Sequence, residues 1–121
     1  MTAPQAAHLS PQVRSRFAAL GLRPDDTIIE RCATYLDLLA RWNRRINLTS
    51  LPLEAPVPDA TIDKLIIEAL VAAPHLPADV RHWVDLGSGG GSPALPLRLA
   101  RPQGTLTMVE SRARKCAFLQ E

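Results

Sequence analysis

Trp83-Val84-Asp85-Leu86-Gly87-Ser88-Gly89-Gly90-Gly91-Ser92 sets a carboxylate two residues before the first of three alternating glycines. Residue types in this order suit the binding of a polar cofactor. Glycines at 87, 89 and 91 permit positive φ and let a ligand lie directly against the backbone. The run Arg81 to Leu86 predicts a short strand covered on both faces. A helix opening after the loop would aim free N–H groups at a bound polar ligand. The next strand is predicted over Thr105 to Val109 and ends at Glu110. An acid at a strand tip is placed to take the two hydroxyls of a ribose.

Two cofactors fit a strand, a glycine loop and a distal acid. The dinucleotide fingerprint is G-x-G-x-x-G, with the pyrophosphate on the helix N-terminus. Here the third glycine comes one residue early, and Ser92 stands where that fingerprint has glycine. Asp85 also argues against a dinucleotide, because a carboxylate so near a pyrophosphate repels it. The same carboxylate suits a ligand with an ammonium and a sulfonium, as S-adenosylmethionine has. The alternative without a ligand is a glycine-rich turn, but three alternating glycines each cost backbone entropy without contributing to a core.

The remaining composition bounds the class. A chain of 121 residues suits one domain, and 46% hydrophobic content is that of a globular protein. With aromatics at only 4%, aliphatic side chains must build the core. The net charge of +2 is small, but it is unevenly spread. Arg41, Arg44 and Arg45 cluster around Trp42, and Arg98, Arg101, Arg112, Arg114 and Lys115 crowd the C-terminal part. Such basic density meets phosphates or forms a solvated face. Cys32 and Cys116 fit no metal or disulfide spacing, nor do His8, His75 and His82, so free thiols, a reducing compartment and no metal are expected. No signal peptide and no apolar run of membrane-spanning length is evident. A cytoplasmic protein is expected, so the Asn47-Leu48-Thr49 acceptor triplet would meet no glycosylation machinery.

The elements that must position these groups can be read in order. Ser10-Pro11 is a helix start, and Val13, Phe17 and Leu20 then recur at helical spacing up to Gly21. Pro24-Asp25-Asp26 opens a second helix with an apolar stripe of Ile28, Ile29, Cys32, Leu36, Leu39, Trp42 and Ile46. Residues 51–58 hold three prolines and predict a loop. Ile62, Leu65, Ile66, Ala69, Leu70 and Ala73 mark a third helix, closed by Pro74 to Pro77. Strand, glycine loop, short helix, strand and a last helix from about Ser111 follow. Pro93 suits a first helical turn, whereas Pro96 should shorten or distort the helix. The expected fold class is therefore α/β: a small N-terminal helical part over 1–78, then the start of a Rossmann-like sheet over 79–121. Two parallel strands make a poor sheet by themselves. The chain reads as the N-terminal portion of a longer protein or as a truncated gene product.

Leu38-Leu39-Ala40-Arg41-Trp42-Asn43-Arg44-Arg45-Ile46-Asn47-Leu48-Thr49-Ser50 resembles the W-N-x-x-x-N-L-T signature of the RsmG (GidB) family. Val84 to Pro96 is similar to that family's cofactor loop, and Ser111 to Leu119 to its next helix. The likeness runs with gaps from about Pro24 to Glu121. It departs where the family commonly has histidine, aspartate and serine before the first strand, since Leu65, Glu68 and Ala69 stand there. It also departs at Ser92, which replaces a usual hydrophobic residue.

The resemblance implies a class I methyltransferase that uses S-adenosylmethionine to methylate N7 of a guanine in bacterial small-subunit (16S) ribosomal RNA. Its partner would be ribosomal RNA or the small subunit. Asp85, Gly87, Ser88, Gly89, Gly91 and Ser92 would line the methionine side of the cofactor, and Glu110 would hold the ribose. Guanine N7 has a free lone pair, so the implied reaction names no general base. Catalysis would come from positioning and electrostatics. Arg41, Arg44, Arg45, Arg114 and Lys115 are candidate RNA-binding residues. Trp42 either stacks on a base or fills the core, and Asn47 either serves the RNA or caps its helix. Competing expectations are a non-catalytic RNA-binding remnant and a fragment of an NAD-binding oxidoreductase.

Overall fold

The computed structural model describes residues 3–54, 56–87, 89–92, 94–101 and 103–120, with side chains from Leu9 onward. It divides into two compact units, Met1–Lys64 and Leu65–Glu121.

The first unit is helical. Helix α1 spans Ala3–Ala19, α2 spans Asp26–Asn43, and α3 spans Asp59–Ile62. α1 starts before the expected Ser10-Pro11 and carries Pro11 inside it. The upstream alanines, the best helix formers, extend the helix across the one hydrogen bond that proline removes. Its end is as expected. Gly21 takes φ 74°, its N–H donates to the Ala18 carbonyl (3.0 Å), and Leu22 N–H donates to that of Phe17 (2.9 Å). This left-handed glycine closure satisfies carbonyls that the helix end would otherwise orphan. α2 begins at the expected acid pair, where the Asp25 carboxylate accepts from Ile28 N–H (2.9 Å).

α1 packs along α2. Val13 and Phe17 meet the buried face of Ile29, Cys32, Leu36 and Leu39 that the helical period predicts. Burial contributes about 1.5–3 kcal/mol for each large apolar side chain. It also pushes the Cys32 thiol up to about 12, so that sulfur stays protonated. The described residues 51–54 and 56–58 are in the expected loop, held by Gln12, whose amide donates to the Val57 carbonyl and accepts from Val57 N–H. A bidentate pair ties α1 to the helical stretch after the loop, with Arg16 Nε and Nη2 each 2.7 Å from a different Asp63 oxygen.

A π-helical turn at Asp63–Ile67, which spans the boundary between the units, leads into α4 (Glu68–Ala72) and a 3₁₀ turn at Ala73–His75 of the second unit. Strand β1 is His82–Leu86, α5 is Ala94–Ala100, β2 is Thr105–Val109 and α6 is Ala113–Gln120. The strands pair in parallel from His82↔Thr105 to Leu86↔Val109. Gly87 N–H extends the ladder to the Val109 carbonyl (2.7 Å). This is the expected α/β start. Pro96 sits buried inside the seven-residue α5, while Pro93 lies outside the described residues.

The expectation of a sheet covered on both faces does not hold. Burial alternates along both strands, and Val84, Leu86 and Val109 are 53%, 76% and 47% exposed. A run of apolar residues cannot tell a strand buried on both sides from one covered on a single side, because cover comes from distant elements. On the covered face Trp83 lies against Gly104, where an added Cβ would overlap its ring.

The Arg16 guanidinium, first through its hydrogen bond, holds the Asp63 carboxyl below the usual carboxylate range. A lowered folded-state value contributes stability above the unfolded pKa, about 3.9, and loses it as pH falls through the folded value. Asp63→Asn should therefore lower the urea midpoint at pH 7. The gap from the parent chain should close towards pH 2, in paired denaturation curves.

Candidate cofactor site on the glycine loop

β1 delivers Asp85 to the sheet end, in register with Met108 of β2, and the chain turns at once into the glycine loop. Gly87, Gly89 and Gly91 all adopt positive φ, at 71°, 53° and 88°. L-residues take this conformation at about 1–2 kcal/mol, which is why glycine occupies all three positions. Their surroundings differ. Nothing stands within 4 Å of a Cβ built on Gly87, and at Gly89 only the Gly87 carbonyl does, at 4.0 Å. At Gly91 the Leu95 and Leu119 side chains fill that space. The loop therefore opens at its first two glycines, where a ligand could approach the backbone, and packs against α5 and α6 at the third.

Glu110 follows β2 directly and turns back onto the loop. One carboxylate oxygen accepts from Gly89 N–H (2.8 Å) and the other from Arg112 N–H (2.9 Å). The Arg112 and Gly89 amides, with the nearby Lys115 charge, hold this carboxyl below the usual range. A carboxylate has about four lone-pair sites, so two remain for other donors such as hydroxyls. Cys116 Sγ lies 3.2 Å from the Glu110 carbonyl and donates to it. The expected ribose ligand is thus also the clasp of the loop, a role that residue spacing alone did not disclose.

The other expected residues fall as follows. Ser92 Oγ donates to the Leu65 carbonyl (3.0 Å), within the π-helical turn. Ser88 lies outside the described residues. Lys115 sits beside Glu110, while Arg114 is exposed on α6. In the helical unit, Arg41 and Arg44 line a cavity and Arg45 is exposed. Trp42 is half-buried, and Asn47 is exposed without capping α2. The turn after α2 is held by Asn43, whose Oδ1 accepts from Leu48 N–H (2.8 Å) and Thr49 N–H (3.0 Å). The visible signal for this was the asparagine beside Trp42 in the quoted signature.

Among the described residues, no group of three or more His, Cys, Asp and Glu could hold a metal ion. No described helix is long and apolar enough to cross a membrane.

A parallel strand pair, a three-glycine loop in left-handed backbone and an acid clasping that loop make up an α/β unit consistent with the start of a methyltransferase fold. Residues 28–121 match the family described as rRNA small subunit methyltransferase G (GidB), and the chain belongs to that family. A Neisseria meningitidis protein named ribosomal RNA small subunit methyltransferase G is 36% identical over 110 residues, covering 91% of this chain and 51% of its own length. Proteins of the same name from Syntrophotalea carbinolica and Nitrosomonas europaea are 37% and 36% identical, covering 90% and 93% of this chain and 48% and 50% of theirs. The chain thus spans about half the length of these curated relatives. No solved structure gives a significant match.

The two glycine environments separate by mutation. Gly87→Ala should cost about 1–2 kcal/mol, the left-handed penalty alone. Gly91→Ala should cost about 1–3 kcal/mol more, because Leu95 must also be displaced. Chemical denaturation of the two variants checks the order. Glu110→Ala should speed amide exchange at Gly89 and Arg112 while leaving the β1–β2 ladder amides protected, as read by NMR.

Proposed function

We propose that this chain carries the cofactor loop of an S-adenosylmethionine-dependent methyltransferase that acts on N7 of a guanine in small-subunit ribosomal RNA. Its partner is then that RNA, or the subunit containing it, in the cytoplasm. The observation that carries the proposal is the Glu110 clasp on a left-handed glycine loop, two residues beyond Asp85, in a chain of this family.

The residues suit that cofactor. Asp85 offers negative charge to an ammonium or sulfonium, where a pyrophosphate would be repelled. Gly87 and Gly89 leave the backbone open to a flat or extended ligand. Glu110 keeps lone pairs for two ribose hydroxyls while still holding the loop. When bound, S-adenosylmethionine supplies a methyl group on positively charged sulfur. Guanine N7 bears a lone pair and no proton, so no side chain of this chain is asked to remove one. The work left to these residues is to bind and orient, and to keep negative charge near the cationic centre. Arg44 and Arg45 of the helical unit, and Arg114 and Lys115 of the second unit, would meet RNA phosphates, a sequence-independent contribution that salt weakens, and Arg41 would also contact the RNA.

Isothermal titration of S-adenosylmethionine into the chain, with NAD as the comparison ligand, tests the proposal. S-adenosylmethionine should bind and NAD should not. Asp85→Ala should weaken binding about tenfold, the equivalent of one charge-assisted contact of about 1.4 kcal/mol. Preferential NAD binding would sink the proposal.

A further inference from the structure

The helical unit contains a cavity of about 850 Å³, within the usual range for ligand sites. The described lining residues all belong to that unit. Leu9 of α1, Ala40 of α2 and Leu51, Pro52 and Leu53 of the following loop form apolar walls. The polar lining includes two groups of opposite character one helical turn apart, Asp37 and Arg41. Asp37 is only 7% exposed, and its Oδ2 is buried without a hydrogen-bond partner. Arg41 Nη1 is likewise buried and unpartnered. Each such group left unpaired is destabilising by about 1–3 kcal/mol or more. Finding an unpaired acceptor and an unpaired donor one helical turn apart in the same lining therefore points to a ligand that satisfies both.

The wall facing them is built deliberately. Asn43 folds the chain back through the Leu48 and Thr49 amides. Thr49 Oγ1 then accepts from Leu51 N–H (3.2 Å), and the Pro52 carbonyl accepts from Thr61 Oγ1 (2.9 Å). This relay fixes residues 51–53 against the end of α2. The consequence is a preformed slot with apolar side chains of α1 and the loop on its walls and polar groups of α2 along one edge, with Glu54 of the loop also in its lining.

We propose that this slot takes an unpaired guanine of single-stranded RNA, with Asp37 and Arg41 reading its Watson–Crick edge. A carboxylate needs donors and a guanidinium needs acceptors. Guanine sets two adjacent donors, N1–H and the N2 amino group, beside the O6 acceptor. Adenine and cytosine present a single amino donor on that edge, and uracil a single imide N–H. Apolar walls suit the two faces of a splayed-out base, the usual way single-stranded RNA is read. Arg44 lines the slot and, with Arg45, stays exposed, so both are free to meet the flanking phosphates. The proposal assigns RNA rather than a free nucleotide on that basic margin, and it deepens the RNA-modifying function proposed above, on which it rests.

The test uses the 121-residue chain and fluorescein-labelled uridine hexamers carrying one central guanine, inosine, adenine or abasic site, read by fluorescence anisotropy. The guanine hexamer should bind about tenfold more tightly than the inosine hexamer, which lacks the N2 amino donor, since a good bidentate base contact discriminates by about 1–3 kcal/mol. Asp37→Asn should level guanine with inosine, and Arg41→Gln should weaken both. Should either variant fail to fold by circular dichroism, the base series on the unaltered chain still decides. Equal binding of guanine and abasic hexamers would overturn the slot alone. Competition by guanosine monophosphate as strong as by the hexamer would overturn RNA as the occupant. Absence of all RNA binding would overturn the slot together with the RNA-modifying function, while the titration of S-adenosylmethionine reports on the glycine loop independently.

Discussion

Backbone amides that leave a helix or strand must find an acceptor, and this chain meets that demand repeatedly with one side chain that engages two backbone groups. Glu110 takes Gly89 and Arg112, and Asn43 takes Leu48 and Thr49. Gln12 takes both the N–H and the carbonyl of Val57. In each case the loop so held is one that helices and ladders could not fix, since it makes too few backbone bonds of its own. The functional geometry of both units depends on this device. The Glu110 clasp joins Gly89 to the end of β2, and Asn43 turns the chain back toward the wall of residues 51–53.

The two buried or clasping acids show the contrast between a satisfied and an unsatisfied group. Glu110 is met on both oxygens and its charge is stabilised, so it rigidifies what it touches. Asp37 sits in the helical core region with an oxygen that no donor among the described residues meets. A carboxyl in that position weakens the fold that contains it. Natural sequences carry such local conflicts chiefly where binding needs them, at a loss in stability offset elsewhere, here by the apolar face shared by α1 and α2.

What was legible beforehand was what local chemistry dictates. The alternating glycines announced left-handed backbone, and all three adopt it. Asp25 and Gly21 marked helix ends because capping is a matter of neighbouring atoms. Thr105–Val109 was found at its observed limits, bounded by Gly104 and Glu110. The rest depended on distant partners. α1 starts earlier than its sequence suggests because Pro11 looks like a first-turn residue and the preceding alanines carry no stop signal. The π-helical turn at Asp63–Ile67 has no residue signature of its own. Asp37 carries no local signal, since its isolation from donors among the described residues is a property of the packed unit. The one-sided sheet was hidden for the same reason, as period-two burial follows from which face a helix covers.

That one-sided sheet also sets a colloidal property of the chain. Val84, Leu86 and Val109 lie together on two paired strands, and among the described residues neither outer strand edge has a neighbouring strand. Apolar side chains beside open backbone edges are the ingredients of strand-to-strand association. With a net charge of only +2, long-range repulsion between copies is weak. Solubility, rather than resistance to unfolding, is then the property that limits how concentrated this chain can be made, and arginine or added surface charge would raise that ceiling where a better-packed core would not.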